Sequence, residues 1–417
     1  MGMKISPACL TDKYICVMLL VFPLWTGFEG YGNITFWKFA FFAAVTGLWL
    51  ASLAVSALAG RERPRPDRPF ALLCALLLAW AALSYLASPF SPGLMGRRYD
   101  GLLPLALYVL AGLGCSAYGE FKWRYVNLLG VSVTLCCLVA ALQLAGLNPL
   151  WLYPEGFDFY GAGVDYNGAF LGTLGNTNIL GGFLALSCPL LAFSAVNRRE
   201  SLWLLLPAAL GAAICALGGC EAALVGLLGS ALIFVPYYVY QKKRRLGLAV
   251  LALEAAAGLA ALLWLYLAAP ESGTLHELGE LLHGRVEDSF GSSRVAIWRE
   301  ALRLFGERPV LGGGPGSFAL RSTLEFTRYV PETGLTFHTL ADSAHSEILS
   351  ALTELGIIGG ACYVTLAAHT LRRSLRTPLA PALLAYLLQA LFSTGTCFTL
   401  PLLAILSALA AAARHKA

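Results

Sequence analysis

The sequence predicts an all-α fold, a polytopic membrane bundle of about 12 transmembrane helices with one large extracytoplasmic loop. Three observations support this prediction. Of the 417 residues, 58% are hydrophobic and only 13% are charged, about half the charged fraction of a typical soluble domain. Apolar runs long enough to cross a hydrocarbon core of about 30 Å recur along the chain. They lack the strict apolar–polar alternation of membrane β-barrel strands.

The apolar runs divide the chain into three regions. We expect residues 1–269 to form a transmembrane bundle, 270–344 to form the large loop, and 345–417 to return as the last three spans. The amino-terminal run resembles a signal sequence but has no small-x-small cleavage site, so we take it as the first span. The predicted spans are 14–28, 34–58, 69–87, 101–118, 125–145, 170–196, 202–218, 222–240, 246–269, 345–368, 378–394 and 397–413.

The basic residues orient these spans. Of the 29 lysines and arginines, 19 lie at the two termini or in the even-numbered loops. Short basic loops stay in the cytoplasm, so we expect both termini to be cytoplasmic and the protein to lie in the cytoplasmic membrane. The other ten basic residues then face outward or lie in a span: Lys38, Arg97, Arg98 and the seven arginines of the large loop.

The outward arginines need an explanation, because they run against the charge rule. Arg97 and Arg98 lie in the short turn SPFSPGLMGRRYDG, and the large loop contains no lysine. A guanidinium group matches the geometry of phosphate oxygens and stays charged, so convergence on an anionic phosphate is one interpretation. The alternative is that each arginine pairs with a nearby acid at the surface. The loop arginines are Arg285, Arg294, Arg299, Arg303, Arg308, Arg321 and Arg328.

A predicted helix in the large loop supplies the first candidate site residues. Ser292 or Ser293 can cap a helix through Phe305 that places Arg294 and Trp298 on one face. We expect this short amphipathic helix to lie along the outer membrane boundary. Arg285 and Arg299 are further candidates for substrate binding in the same segment.

The end of the loop supplies a candidate base. Asp342 or Ser343 can cap the next helix, which places His345 in its first turn. There the helix dipole disfavours the imidazolium ion, so the neutral ring can accept a proton. The alternative is an interfacial histidine that satisfies a loop carbonyl. The sequence has no HExxH motif and no paired CxxC motif, so no metal and no cofactor are expected.

An earlier element, GTLGNTNILGGFL, enters the sixth predicted span. Its glycines allow a tight turn, and Asn176 and Asn178 can hydrogen-bond a ligand. The alternative is a helix cap with close packing of small residues.

These motifs together resemble the O-antigen ligase and polymerase superfamily. The resemblance rests on SSRVAIWREALRLFGERPVLGGGPGSF, on SAHSEILSALTELGIIGG, on the Gly-Asn-x-Asn element and on the span layout. It implies a metal-independent, inverting glycosyltransferase at the outer face of the membrane. Its donor would be a glycan on undecaprenyl diphosphate, and its acceptor a hydroxyl group of a lipid, a glycan or a protein. The implied roles are diphosphate binding for Arg294 and activation of the acceptor hydroxyl for His345.

The chain departs from the family pattern at three places. Ser346 follows the histidine where relatives have asparagine, Cys220-Glu221 stands where many have Ser-Arg, and Ala169 stands where many have arginine. Two expected anion-binding arginines are therefore absent. Arg97, Arg98, Arg285 and Arg299 are the candidates to replace them.

Two other functions stay open at this point. A small-solute transporter would show broken helices and polar groups at mid-membrane. A non-catalytic protein of polysaccharide assembly would lack a convergent Arg294 and His345. The partners we expect are the lipid-linked glycan, its acceptor and membrane lipid, and no nucleic acid. A disulfide between Cys220 and Cys397 is conceivable, since both fall at predicted outer turns.

Overall fold

The computed structural model describes residues 6–59, 65–153, 171–268, 270–330 and 335–413, with the backbone alone of 328–330, 335 and 337. Fifteen α-helices and one β-hairpin form within these residues. The elements are α1 (Pro7–Leu20), α2 (Ile34–Leu58), α3 (Arg68–Leu86), α4 (Leu102–Tyr118), α5 (Trp123–Leu144), α6 (Thr177–Asn197), α7 (Leu205–Leu217), α8 (Glu221–Lys242), α9 (Arg244–Ala268), α10 (Gly273–Leu282), α11 (Phe290–Glu307), α12 (Phe318–Arg321), β1 (Glu325–Val330), β2 (Leu335–Leu340), α13 (Glu347–Ser374), α14 (Leu379–Gln389) and α15 (Leu400–Ala412).

The helices confirm an all-α polytopic membrane protein. Nine helical segments of the described chain are long and apolar enough to cross a membrane. Three shorter apolar helices, α4, α14 and α15, occupy the remaining predicted span positions. At 1.5 Å per residue, the 11 residues of α14 rise only about 16 Å, roughly half of a hydrocarbon core. The count of 12 full spans therefore stays a prediction.

The bundle is built around α6, which packs against α5, α7, α8 and α14. Close approach depends on its glycines, since a Cβ added to Gly181 would lie 3.0 Å from the Cβ of Ala223. By contrast, among the described elements α9 packs mainly along α8 and α10, and most of its apolar side chains are exposed. Such a helix fits the edge of a bundle that faces lipid.

Lys38 lies in the interior, within the predicted second span. It is fully buried in α2, and its ammonium donates hydrogen bonds to the carbonyls of Phe22 at 2.8 Å and Pro23 at 2.7 Å. A buried cation is tolerated when it is satisfied in this way. Lys38 therefore fixes the turn after α1.

Helix α13 is not the single straight span that the sequence predicts. Gly356 has φ 67° and ψ −170°, a conformation reserved for glycine, and it divides α13 into a first part (347–355) and a second part (357–374). The hydroxyl of Tyr363 reaches the carboxylate of Glu347, 16 residues away. A straight helix would separate the two by about 24 Å. The first part therefore folds back along the second.

The carbonyl groups that end the first part of α13 are bonded to neighbouring segments, as buried backbone groups must be. The Gly312–Gly316 turn runs directly against them, and a Cβ added to Gly312 would lie 2.3 Å from the Glu354 carbonyl oxygen. The glycine backbone of this turn therefore packs directly against the end of the first part of α13. The donors, at 2.7 to 3.0 Å, are the N–H groups of Gly313 and Gly314, the Trp80 indole, the Ser84 hydroxyl and the Arg321 guanidinium.

The conceivable disulfide does not form. Cys220 and Cys397 are both buried free thiols, and the Cys220 thiol donates to the carbonyl of Thr177 at 3.1 Å. This contact joins the starts of α6 and α8.

Candidate functional site

The start of α11 differs from the prediction. Gly291, Ser292 and Ser293 all have a left-handed backbone, with φ of 63°, 57° and 63°. An N-cap residue normally has an extended backbone, so neither serine is the predicted cap. The regular helix begins at Arg294 and continues to Glu307, two residues beyond the predicted end. The left-handed turn aims the Gly291 carbonyl back at Arg294.

Arg294 is held in place by two carbonyl groups. Its Nε donates to the carbonyl of Phe392 at 2.9 Å, and its Nη1 donates to the carbonyl of Gly291 at 2.7 Å. Within the described residues these are its hydrogen bonds, which leaves three of five N–H groups for a ligand. The ring of Trp298, one turn along α11, lies 5.8 Å from the ring of Phe392. Trp298 therefore supports the carbonyl that orients Arg294.

His345 precedes α13 instead of lying in its first turn. The helix begins at Glu347 after Ser346, so the predicted caps Asp342 and Ser343 are wrong. His345 has φ 45°, a left-handed backbone that turns the chain sharply into the helix. The reason is tertiary, because the Glu347 N–H bonds the carbonyl of Ala390 at 2.9 Å.

The electrostatics favour a neutral imidazole at His345. Burial lowers its pKa below the ordinary value, the positive charges of Arg294 and Arg98 lower it further, and Asp342 opposes the shift. The sequence predicted a neutral ring from the helix dipole; burial and two guanidinium groups are the causes seen here. The bonds place these groups at one end of the helices: Arg294 bonds the carbonyl of Phe392, and Glu347, two residues after His345, bonds the carbonyl of Ala390. Arg98 is tied to Asp342, three residues before His345.

Arg98 joins the site from the turn before α4. It forms an ion pair with Asp342, whose side chain is one third exposed, and this contact ties the turn to the end of the large loop. Asp342 was considered from the sequence only as a helix cap. Its role as an ion-pair partner beside His345 depends on a contact between distant parts of the chain.

The other predicted site residues lie in different surroundings. Arg285 pairs with Glu280, and Arg299 pairs with Asp288. The side chains of Arg285, Arg299 and Asp288 are exposed, and that of Glu280 is partly buried. Arg97 is exposed beside Arg98. These three match the alternative of surface arginines better than convergence on one anion.

The Gly-Asn-x-Asn element acts here as a helix start. The side chain of Asn176 caps α6 by accepting from the N–H groups of Asn178 at 2.8 Å and Ile179 at 3.2 Å. The Asn178 side chain is exposed. Ala169, one of the family departures, lies outside the described residues.

Two further arginines of the large loop, Arg303 and Arg321, have structural partners. Arg321 is buried and donates to the carbonyl of Thr353 at 2.9 Å and to Glu307 at 3.0 Å. Arg303 bonds Glu300, which accepts from the N–H of Thr323 at 2.8 Å. The pKa of Glu300 is held at about 2 by the hydrogen bond from Arg303. The arginines of the loop are thus not one functional set.

Two acids act on Arg294: Glu221, which the sequence marks as a departure from the family pattern, and Glu277, which was not considered from the sequence. Burial lowers the pKa of Arg294, while Glu221 and Glu277 oppose that shift. Glu277 accepts from the N–H of Gly291 at 2.8 Å, and Glu221 accepts from the hydroxyl of Thr274. Where the resemblance led us to expect an arginine, the chain therefore brings a carboxylate near Arg294.

Helix α11 and the first part of α13 run side by side in the same direction. Both begin near residues 390–392, through the Arg294–Phe392 and Glu347–Ala390 bonds. Both end together, where the Ile357 N–H bonds the carbonyl of Pro309 at 2.8 Å. Their positive dipole ends therefore meet beside Arg294 and His345. This is a place suited to an anion.

The fold and the site define a class, a polytopic helical membrane protein with one arginine and one neutral histidine at paired helix starts. Residues 206–364 match the family model described as O-antigen ligase, and this match together with the apolar helices supports a membrane protein of polysaccharide biosynthesis. The match confirms the resemblance and includes Arg294 and His345; Arg98 and the Gly-Asn-x-Asn element lie outside it. No curated protein matches the chain.

Proposed function

We propose that this protein transfers or polymerises a glycan from an undecaprenyl-diphosphate donor onto an acceptor hydroxyl during surface polysaccharide assembly. The observation that carries the proposal is that Arg294 and the helix start next to His345 bond carbonyl groups only two residues apart, those of Phe392 and Ala390. A leaving diphosphate needs fixed positive charge, and an attacking hydroxyl needs a base. The site offers one of each.

Arg294 would bind the donor diphosphate. Two carbonyl groups fix its guanidinium, so little reorganisation is needed when charge develops on the leaving group. The dipoles of α11 and of the first part of α13 add positive potential at the same point. Arg98 would contribute a second guanidinium, shared with Asp342.

His345 would act as the general base. The acceptor oxygen attacks the anomeric carbon, the bond from that carbon to the diphosphate oxygen breaks, and the hydroxyl proton passes to the imidazole. Asp342 would then stabilise the imidazolium ion, as its influence on the histidine indicates. Such a direct displacement inverts the anomeric configuration. It requires no metal ion.

The two ends of α3 support a site on the face opposite the basic loops. At its start, Asp67 contacts His369 at 2.8 Å near the basic end of α13. Just after its end, the carbonyl of Ala87 accepts from Arg308 of the large loop at 3.0 Å. The 19 residues of α3 rise about 28 Å, close to the thickness of a hydrocarbon core. If the basic loops are cytoplasmic, the site and the large loop face outward.

One observation favours each of the alternatives. The break in α13 is a feature that transporters also use. Glu221 and Glu277 beside Arg294 reduce the positive charge that a diphosphate needs, which favours a non-catalytic assembly protein. The experiment that follows separates all three.

The test is reconstitution of the purified protein with an undecaprenyl-diphosphate glycan and a panel of glycan, lipid and protein acceptors, with products read by mass spectrometry. We expect transfer by the native protein and a loss of at least about 100-fold in Arg294→Ala and His345→Ala. Arg299→Ala, an exposed arginine on the same helix, is the matched control and should transfer normally. Normal transfer by His345→Ala would refute the base. Uptake of a small solute, such as the free glycan unit, into the vesicles without transfer would indicate a transporter. Binding of the donor with neither transfer nor uptake would indicate an assembly protein.

A further inference from the structure

We propose that Glu347 is a positioning residue for this site, because it fixes the first part of α13 to the end of α14 and so holds His345 beside Arg294. The inference rests on the proposed function for the role of His345. Nothing in the family match assigns a role to Glu347.

The carboxylate of Glu347 is buried and satisfied by two tyrosines. The residue is only 7% exposed, and its Oε1 accepts from the hydroxyl of Tyr386 at 2.5 Å. Its Oε2 accepts from the hydroxyl of Tyr363 in the second part of α13. A buried carboxylate costs several kcal/mol unless such donors surround it, so these contacts define where the group must lie.

The backbone of Glu347 is fixed at the same place. Its N–H donates to the carbonyl of Ala390, while the carbonyl of Phe392, two residues on, accepts from Arg294. Residues 390–392 therefore anchor both halves of the site. A shift of Glu347 relative to α14 would change the distance between His345 and Arg294.

His345 needs such an anchor because its backbone is strained. A left-handed conformation costs a non-glycine residue about 1–3 kcal/mol and persists only when its surroundings enforce it. On the amino-terminal side, the ion pair between Asp342 and Arg98 holds the chain. On the carboxyl-terminal side, the first fixed residue is Glu347, next to the buried Ser346.

Gly395 allows an independent perturbation of the same contact. A Cβ added there would lie 2.7 Å from Oε1 of Glu347, and the backbone of Gly395 is not in the left-handed region. Gly395→Ala should therefore displace the carboxylate while every hydrogen-bonding group remains in the chain.

Since both carboxylate oxygens are occupied by tyrosines, Glu347 would act through His345 and not on the substrate. Its loss should lower kcat with little effect on KM. A misplacement of about 1 Å costs up to roughly 100-fold in rate. We expect kcat to fall about 10- to 100-fold in Glu347→Gln, Tyr386→Phe and Gly395→Ala, with KM within about twofold of the native value.

A pH profile adds a readout that general destabilisation would not move. When the anchor is lost, His345 becomes more hydrated, so its pKa rises and the acidic limb of kcat moves to higher pH. The charged groups that act on the imidazole, Arg294, Arg98 and Asp342, remain in all three variants. Glu254→Gln changes a partly buried glutamate of α9, a helix that packs mainly along α8 and α10, and is the matched control.

A measurement without turnover separates this inference from the proposed function. The rate at which diethyl pyrocarbonate modifies His345 can be followed by peptide mass spectrometry, with exposed His338 as the internal reference. We expect at least about fivefold faster modification in Glu347→Gln and Gly395→Ala. An unchanged rate in both would overturn the positioning role, even if the native protein transfers glycans. If these variants are modified faster but the native protein has no transferase activity, the positioning role of Glu347 would stand and only the proposed function would be refuted. A loss that appears in KM with kcat unchanged would also overturn it.

Discussion

Replacing Gly356 with alanine tests whether the fold-back of α13 assembles the site. The substitution adds one methyl group at the turn where the first part of α13 reverses direction. We expect lower stability and a large loss of glycan transfer, because the two parts of α13 can no longer pack as they do.

The magnitude follows from two terms. The backbone at Gly356 has φ 67° and ψ −170°, a region in which a residue other than glycine costs about 1–3 kcal/mol. The added Cβ would also lie 2.1 Å from the carbonyl oxygen of Val310, so the 309–314 segment must move. Overpacking of this kind costs about 1–3 kcal/mol more, for a total of roughly 2–6 kcal/mol. A shift of His345 by about 1 Å would in addition lower the transfer rate about 100-fold.

The assay has a stability arm and an activity arm. Thermal unfolding in detergent can be followed with a thiol-reactive dye, because cysteines such as Cys115, Cys136 and Cys215 are buried and free. Transfer is measured on the same preparations. Gly258→Ala in α9 is the matched control, since an added Cβ meets no atom within 4 Å there. A Gly356→Ala protein that melts and transfers like the Gly258→Ala protein would refute the reasoning.

Three further predictions concern charged residues of the site and of the large loop. If His345 is the base, kcat/KM should be flat at neutral pH and fall only in acid, below the ordinary pKa of histidine, because burial and the nearby guanidinium groups lower the pKa of the ring. Arg98→Gln should move this acidic limb to higher pH and Asp342→Asn to lower pH; a limb that ignores both would exclude His345 as the titrating group. Arg294→Lys should lose at least about tenfold in kcat/KM, since one ammonium cannot bond both carbonyl groups and still offer a fork to the donor, and full activity would contradict the geometry. Arg321→Met should lower the thermal midpoint, because it removes the donor to the buried carbonyls of Thr353 and Leu304, and an unsatisfied buried acceptor costs about 1–3 kcal/mol. An unchanged midpoint would contradict its structural role.

Hydropathy located the membrane helices well, because burial in lipid demands long apolar runs. It could not show where a helix stops for tertiary reasons. The eleventh span was expected over 378–394, yet α14 ends at Gln389. Past that point the carbonyl of Ala390 accepts a hydrogen bond from Glu347, and the carbonyl of Phe392 accepts one from Arg294. Those bonds join residues far apart in sequence.

The break in α13 was equally hidden. The run from Glu347 onward is apolar enough for one span and contains Gly356, Gly359 and Gly360. Only the first has the left-handed backbone that reverses the chain, and the partner that requires it, Val310, lies in the large loop. By contrast, the antiparallel pair of β1 and β2 could have been predicted, since TLEFTRYV and LTFHTL are rich in β-branched and aromatic residues and are separated by only four residues, one of them proline and one glycine.

The number of arginines in the large loop predicted an anion site, but it could not predict which of them form it. Seven arginines in one loop pointed to an anion, and Arg294 is placed as that interpretation requires. Arg299 has an acid available nearby in the chain, which local sequence can indicate. Arg321 lies buried against the Phe90 ring at 4.9 Å, and no local pattern predicts that contact.

The contacts that link the matched stretch to the rest of the chain limit which segments can be exchanged with a related protein. The stretch that matches the family ends at residue 364, yet Arg294 is oriented by Phe392, Glu347 is bonded by Tyr386, and Asp342 is paired with Arg98. A chimera built by transplanting 206–364 alone would leave each of these groups facing a foreign partner. A functional graft must also carry the turn before α4 and the chain from α14 to the start of α15.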